Sequence, residues 1–191
     1  MAESSLDSLQ HTRDVIVEWK AFELRPGGKF PGTPEQEAAY RRMIAEKHEP
    51  MWAHARENFG LEMREGPWGV NSRPALEGAR FAREHGLERA YNKACFAAHW
   101  QAARRLDDMD VLVDIAESAG LDSAAFRAAV ESKAYRAEVE RDLQEAYQSG
   151  ISSIPAFVFG DHYLVSGAQP ASVLSQVVDR CIEEGRVVDS S

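Results

Sequence analysis

Cysteine is nearly absent from this sequence: there are two in 191 residues, Cys95 and Cys181, far apart along the chain. Neither has a second cysteine near it, so there is no C-x-x-C redox pair and no thiolate metal cluster. Cys95 stands in Ala94-Cys95-Phe96-Ala97-Ala98, and Cys181 continues the apolar side of the final helical pattern. Both read as small core residues. Positive charge is also in short supply, with 22 Lys and Arg against 31 Asp and Glu and a formal net charge of −9. That balance argues against a nucleic-acid groove and against an anionic membrane surface. No apolar run approaches the roughly 18 residues a membrane span needs. The opening Met-Ala-Glu-Ser-Ser-Leu-Asp is acidic and polar, unlike a signal peptide, so the expectation is a cytoplasmic protein.

The usual ligand motifs are missing as well. His48-Glu49-Pro50-Met51-Trp52 begins like H-E-x-x-H, but Trp52 replaces the second histidine and Pro50 disturbs the helix. Gly27-Gly28 is followed by Lys29-Phe30-Pro31-Gly32, without a phosphate-loop pattern. Cys95 and His99 are four apart on one helical pattern, and in an alanine-rich helix such a pair reads as packing. No metal or cofactor is expected from these residues.

What is present is a strongly patterned chain with 44% hydrophobic residues, enough for a core. Its length suits one domain with an insertion. Leu6 and Leu9 mark a short helix in residues 1–11. Residues 15–24 alternate: Val15, Val17, Trp19 and Ala21 are apolar, Glu18 and Lys20 polar, and this predicts a strand that ends at Arg25-Pro26-Gly27-Gly28. From Thr33 to about Ser149 the pattern is helical. Thr33 with Gln36, and Pro34 at the first position, start a helix running to Phe59. Tyr40, Met43, Ile44, Met51, Trp52 and Ala55 form its expected buried side, with a bend before Pro50. Further helices are expected from Asn71 or Ser72, over 87–106, 110–120, 123–130 and 133–149. The segment 156–159, the turn Gly160-Asp161-His162 and the segment 163–166 then predict a β-hairpin. Pro155 opens its first strand. Gly167 ends the second, and Pro170 suits the first turn of a helix over 171–184 with Val173, Leu174, Val177, Val178, Cys181 and Ile182 on one face.

This order, and the stretch GISSIPAFVFGDHYLVSGAQP in particular, resembles the DsbA-like thioredoxin domain in its cytosolic FrnE-type branch. Three other segments agree. Trp19-Lys20-Ala21-Phe22-Glu23-Leu24-Arg25-Pro26 is similar to that branch's W-x-x-F-x-L-x-P strand. Asn71-Ser72-Arg73-Pro74-Ala75-Leu76 stands where the family has N-T-x-x-A-h, and residues 110–122 match its helical hairpin ending in G-L-D. The resemblance covers about residues 15–185. It implies an α/β, thioredoxin-like (DsbA-like) fold with a large all-helical insertion and with the first β-strand missing. Residues 1–32 and 150–191 would form a discontinuous thioredoxin-like domain, and 33–149 the insertion.

By resemblance the function is a thiol–disulfide oxidoreductase, acting on a thiol- or disulfide-containing protein or peptide. Ser153, Ile154 and Pro155 would form the substrate-facing cis-proline loop. X-Pro bonds are the only ones for which a cis peptide is cheap, roughly 0.5–1 kcal/mol above trans. The family's Cys-x-x-Cys, at the N-terminus of the first helix, has no counterpart here. Without those thiolates the chain as written cannot carry out dithiol–disulfide exchange. The expectation is that the polypeptide starts downstream of that motif, with a real loss as the other explanation. Two further readings stay open. One is a non-catalytic thioredoxin-fold protein that holds extended peptides. The other is a glutathione-dependent isomerase or transferase of the 2-hydroxychromene-2-carboxylate isomerase or kappa-type transferase branch, in which a serine such as Ser4 or Ser5 would bind glutathione. Against it, Gly167-Ala168-Gln169-Pro170 stands where that branch has G-x-D-R, and Ser4 and Ser5 read as helix caps. An unpartnered strand over 15–24 would also favour dimerisation or poor solubility.

Overall fold

Two apolar tetrads joined by a turn set the C-terminal half of the computed structural model, which describes residues 2–186. Ala156–Phe159 (β1) and Tyr163–Ser166 (β2) pair antiparallel, with Phe157 opposite Val165 and Val158 opposite Leu164. Gly160 and Asp161 both take positive φ, as a two-residue primed turn requires, and the His162 amide closes it on the Phe159 carbonyl. Glycine is needed there for a second reason: a Cβ at Gly160 would lie 2.8 Å from the Arg186 carbonyl oxygen.

The chain divides into two compact units. One joins the N-terminal residues through Trp19 to the part from Ala146 onward. In it the helices Ala2–Thr12 (α1) and Ala171–Glu183 (α8) pack on the hairpin through Leu6, Leu9, Leu174 and Val178. Phe157, Phe159 and Val165 complete that cluster from one face of the hairpin, and Val15, Val17 and Trp19 join it. Leu9 and Leu174 are essentially unexposed, each contributing about 1.5–3 kcal/mol from burial. Arg13 grips the Asp179 carboxylate through Nε and Nη2, both at 3.1 Å. At the far end of α8, Glu184 accepts from the Tyr163 hydroxyl at 2.7 Å and also from Arg180 and Arg186.

The other unit, Lys20–Glu145, is helical. It holds Pro34–Phe59 (α2), Arg73–Glu84 (α3), Glu88–Trp100 (α4), Met109–Ser118 (α5), Ser123–Glu131 (α6) and most of Arg136–Gln148 (α7). Tyr91, Leu112, Ala116 and Phe126 centre its core, all without exposure. Thr33 and Gln36 form the expected capping box, and Pro50 lies inside α2 without ending it. Gly78 on α3 is a close-approach point: a Cβ there would run into the Tyr91 hydroxyl and lie 2.7 Å from Phe126 Cζ.

Several expectations need correction. Residues 15–24 form no ladder; among the described residues the sheet has two strands. The run keeps the strand's side-chain alternation, with Val15, Val17, Trp19, Ala21 and Glu23 turned inward and Ile16, Glu18, Lys20 and Leu24 outward. The pattern therefore marked an extended chain, while ladder formation depends on a neighbour that alternation cannot specify. On α2 only Ala55 is buried; Met43 is exposed and the other expected core residues are half-covered. The helix expected over 87–106 ends at Trp100, where Ala103 adopts a left-handed φ of 52°. Lys133, with φ 58°, likewise delays the start of α7 to Arg136. Ile182 is exposed rather than on the buried face of α8, and Pro170 sits just before the first turn. Ser4 and Ser5 lie inside α1 rather than capping it.

Two outcomes follow for stability. Gly78→Ala overpacks a site walled by two aromatic rings and should cost about 1–3 kcal/mol in chemical denaturation. The Tyr163, Arg180 and Arg186 hydrogen bonds hold the Glu184 carboxyl at about 2, below its ordinary 4.5. A carboxyl depressed on folding adds stability that is complete above the ordinary value and is lost as pH falls toward the folded one. In Tyr163→Phe the largest of those bonds is gone, so the loss of thermal midpoint between pH 4.5 and 2 should be shallower than in the parent.

Candidate functional site

Gly150 ends α7 in a left-handed conformation, and the Gly150 and Ile151 amides bond back to the Tyr147 and Ala146 carbonyls. The chain then leaves the helix as a short loop. Ser152, Ser153 and Ile154 on it are exposed, and the Ile154 side chain is half accessible although it is a large aliphatic group. The Ile154–Pro155 peptide bond is cis. Pro155 is half-buried, and its carbonyl accepts from the Gly167 amide at 2.8 Å, which ties the loop to the exit of β2. The Gln169 side chain closes that exit on the Ser166 carbonyl at 3.0 Å. Ser153, Ile154 and Pro155 thus stand together at the head of the hairpin, held at both ends and open on one side.

The thiols are placed differently. Cys95 is buried in α4, and burial pushes its pKa up to about 12, against a partial offset from the Tyr91 hydroxyl. Burial also raises Cys181 on α8. Neither is the electropositive, accessible setting that activates a thiolate. His99 makes no hydrogen bond to Cys95. Its Nδ1 is buried without a partner, Nε2 faces Gly66, and burial lowers its pKa. His48 stacks on Trp52 at 4.8 Å, so that pair is an aromatic contact.

Two constellations were not anticipated. Asp142 on α7, nearly unexposed, bonds Arg80 and accepts the Ala21 amide at 2.6 Å, while Glu23 accepts from Arg73 at 2.7 Å. Glu77 is buried beside them, and burial raises its pKa against the pull of Arg73 and Arg136. The signal was available: Glu23 shares the inward phase of Trp19 and Ala21. The second is a cage in which the Arg25 guanidinium lies 5.0 Å from the Trp68 ring, 5.1 Å from Tyr40 and 5.8 Å from Phe30. Residues so far apart in sequence gave no sign of it.

A family model described as the DSBA-like thioredoxin domain matches residues 1–179. The chain belongs to that family. It is similar to the uncharacterized protein YwbO of Bacillus subtilis, 32% identical over 171 residues that cover 87% of this chain and 82% of YwbO. The crystal structure of a probable DsbA oxidoreductase from Streptomyces coelicolor superposes with a TM-score of 0.78 at 28% identity, over all of this chain and 84% of the other. A 2-hydroxychromene-2-carboxylate isomerase shares the fold, with a TM-score of 0.76 at 18% identity, over 96% of this chain and 90% of that one. The DsbA-like thioredoxin fold with a helical insertion is therefore shown for this protein.

The thiol environments predict slow chemistry. At pH 7.5 an aromatic disulfide reagent should titrate neither Cys95 nor Cys181 in the native chain within minutes and both after denaturation, read by absorbance of the released thiolate.

Proposed function

We propose that this chain is a FrnE-type, DsbA-family thioredoxin-fold protein whose proline loop, Ser153, Ile154 and Pro155, receives an extended segment of a cysteine-containing polypeptide. The observation that carries the reading is the half-accessible Ile154 on a loop anchored at both ends, in a chain of the DSBA-like thioredoxin family. A rigid loop with exposed main-chain groups and one apolar side chain presents little ordering cost to an extended partner. Exchange itself needs a thiolate, and neither buried cysteine supplies one. On these residues the chain's own share of the chemistry is to hold and orient the peptide. Two unbridged cysteines also suit a reducing compartment, and we place the protein in the cytoplasm.

The test is binding of a fluorescent, extended, cysteine-containing peptide followed by anisotropy. Ile154→Asp places a charge in the contact and should weaken binding about tenfold or more, with the thermal midpoint unchanged because the side chain is exposed. Equal affinity in parent and variant would sink the loop reading. A glutathione titration runs alongside. Tight binding of glutathione with no peptide binding would instead favour the isomerase-type branch.

A further inference from the structure

Among the described residues Arg25 is a half-buried cation without an anion. Its guanidinium lies over the Trp68, Tyr40 and Phe30 rings, each within the distance of about 6 Å at which a ring face attracts a cation. A ring face draws the charge but leaves the strong N–H donors of a guanidinium without an oxygen acceptor. The charges around the cage are already matched. Arg41, 4.8 Å from the same Trp68 ring, donates to Glu37 at 2.6 Å. Arg105, which donates to the Trp68 and Gly69 carbonyls at 3.3 Å each, holds Asp107 at 2.7 Å. Glu65 accepts from the Trp68 indole at 2.9 Å. The frame is fixed as well. The Gly28 amide bonds the Arg25 carbonyl at 2.9 Å, and a Cβ on Gly28 would lie 2.6 Å from the Gly69 carbonyl oxygen. Tyr40 and Trp68 meet edge to face, with centroids 6.2 Å apart. All of these residues belong to the helical unit.

We propose that the Arg25 cage is a recognition site for one carboxylate, carried by an acidic residue that stands beside an aromatic one in a partner polypeptide. A guanidinium presents a planar fork of donors, and a carboxylate meets it with two parallel hydrogen bonds. The charges select a monoanion. A phosphate dianion would answer Arg25 with one charge and bring the other toward Glu37, Glu65 and Asp107, where like charges repel. The cage selects a side chain over a free small molecule. Its rings are half-buried rather than enclosed, and a small ligand needs a concavity that buries most of it. A side chain can leave the rest of its polypeptide outside. The ring edges beside Arg25 offer apolar contact to an aromatic neighbour of the carboxylate. The net charge of −9 repels a run of acids, which limits the motif to a single one. The inference stands independently of the loop reading, because it uses none of Ser153, Ile154 and Pro155 and needs no cysteine.

The probe is the acetylated, amidated peptide Gly-Glu-Phe-Gly, titrated at pH 7 into the full 191-residue chain. The readout is the Trp68 indole N–H resonance, assigned by its loss in Trp68→Phe. That resonance should move saturably. Replacing the peptide's Glu by Gln removes the charge without touching the protein and should weaken binding about tenfold or more. Added salt should weaken the Glu peptide and leave the Gln peptide unchanged. Arg25→Lys keeps the charge, loses the fork and should weaken the Glu peptide about tenfold. Ile154→Asp should leave its affinity unchanged, which separates failure here from failure of the loop. Equal binding of the Glu and Gln peptides would overturn the proposal. So would tighter binding of a phosphoserine counterpart, or propionate binding as tightly as the Glu peptide, since the cage would then serve a phosphate or a free small acid.

Discussion

The helical unit depends on a charge that water scarcely reaches. Removing a carboxylate and a guanidinium from solvent costs several kcal/mol per ion, recovered only when geometry and further hydrogen bonds satisfy both. Asp142 meets that condition by bonding Arg80 from α3 and taking the Ala21 amide as well. That amide belongs to the extended run, which has no ladder to satisfy it. One carboxylate therefore serves two deficits: it neutralises a buried guanidinium and replaces a missing strand partner for the backbone. Glu23 with Arg73, two residues along the same inward phase, repeats the device. The run 20–23 is thus fastened to helices by side chains where a sheet would fasten it by main chain.

This explains which parts of the fold are legible in the sequence. The hairpin and α8 were legible because their instructions are local: alternation, a turn that accepts positive φ, a proline before a helix. The cap of α2 at Thr33 and Gln36 was legible for the same reason. The strand over 15–24 failed differently, since a sequence states the phase of an extended chain and says nothing of its neighbour. Buried sides of helices were legible where a helix is enclosed, as with Leu174 and Val178, and not on α2, where Tyr40 is committed to the Arg25 cage and Trp52 to His48. Ser153, Ile154 and Pro155 stand out in the sequence only through a family pattern, since nothing in their composition distinguishes them.

The arrangement of the hairpin supplies a physical division of labour. Its inner face, Phe157, Phe159 and Val165, is committed to α1 and α8 and holds the element still. Its head is fixed by the Gly167 bond and its far end by Glu184. What the two helices leave open is aliphatic surface at Ile154, Val158 and Leu164.

Thiol chemistry and polypeptide recognition make different demands on a surface. A thiolate has to be reachable and electrostatically favoured, whereas Cys95 is shut into the helical core with its pKa pushed up to about 12. Recognition asks for fixed main-chain groups and apolar surface; at the hairpin the Pro155 carbonyl is fixed by the Gly167 amide, and Ile154, Val158 and Leu164 are exposed aliphatic groups. The hairpin's main-chain groups are set by the ladder phase and the glycine turns, and neither depends on sulfur.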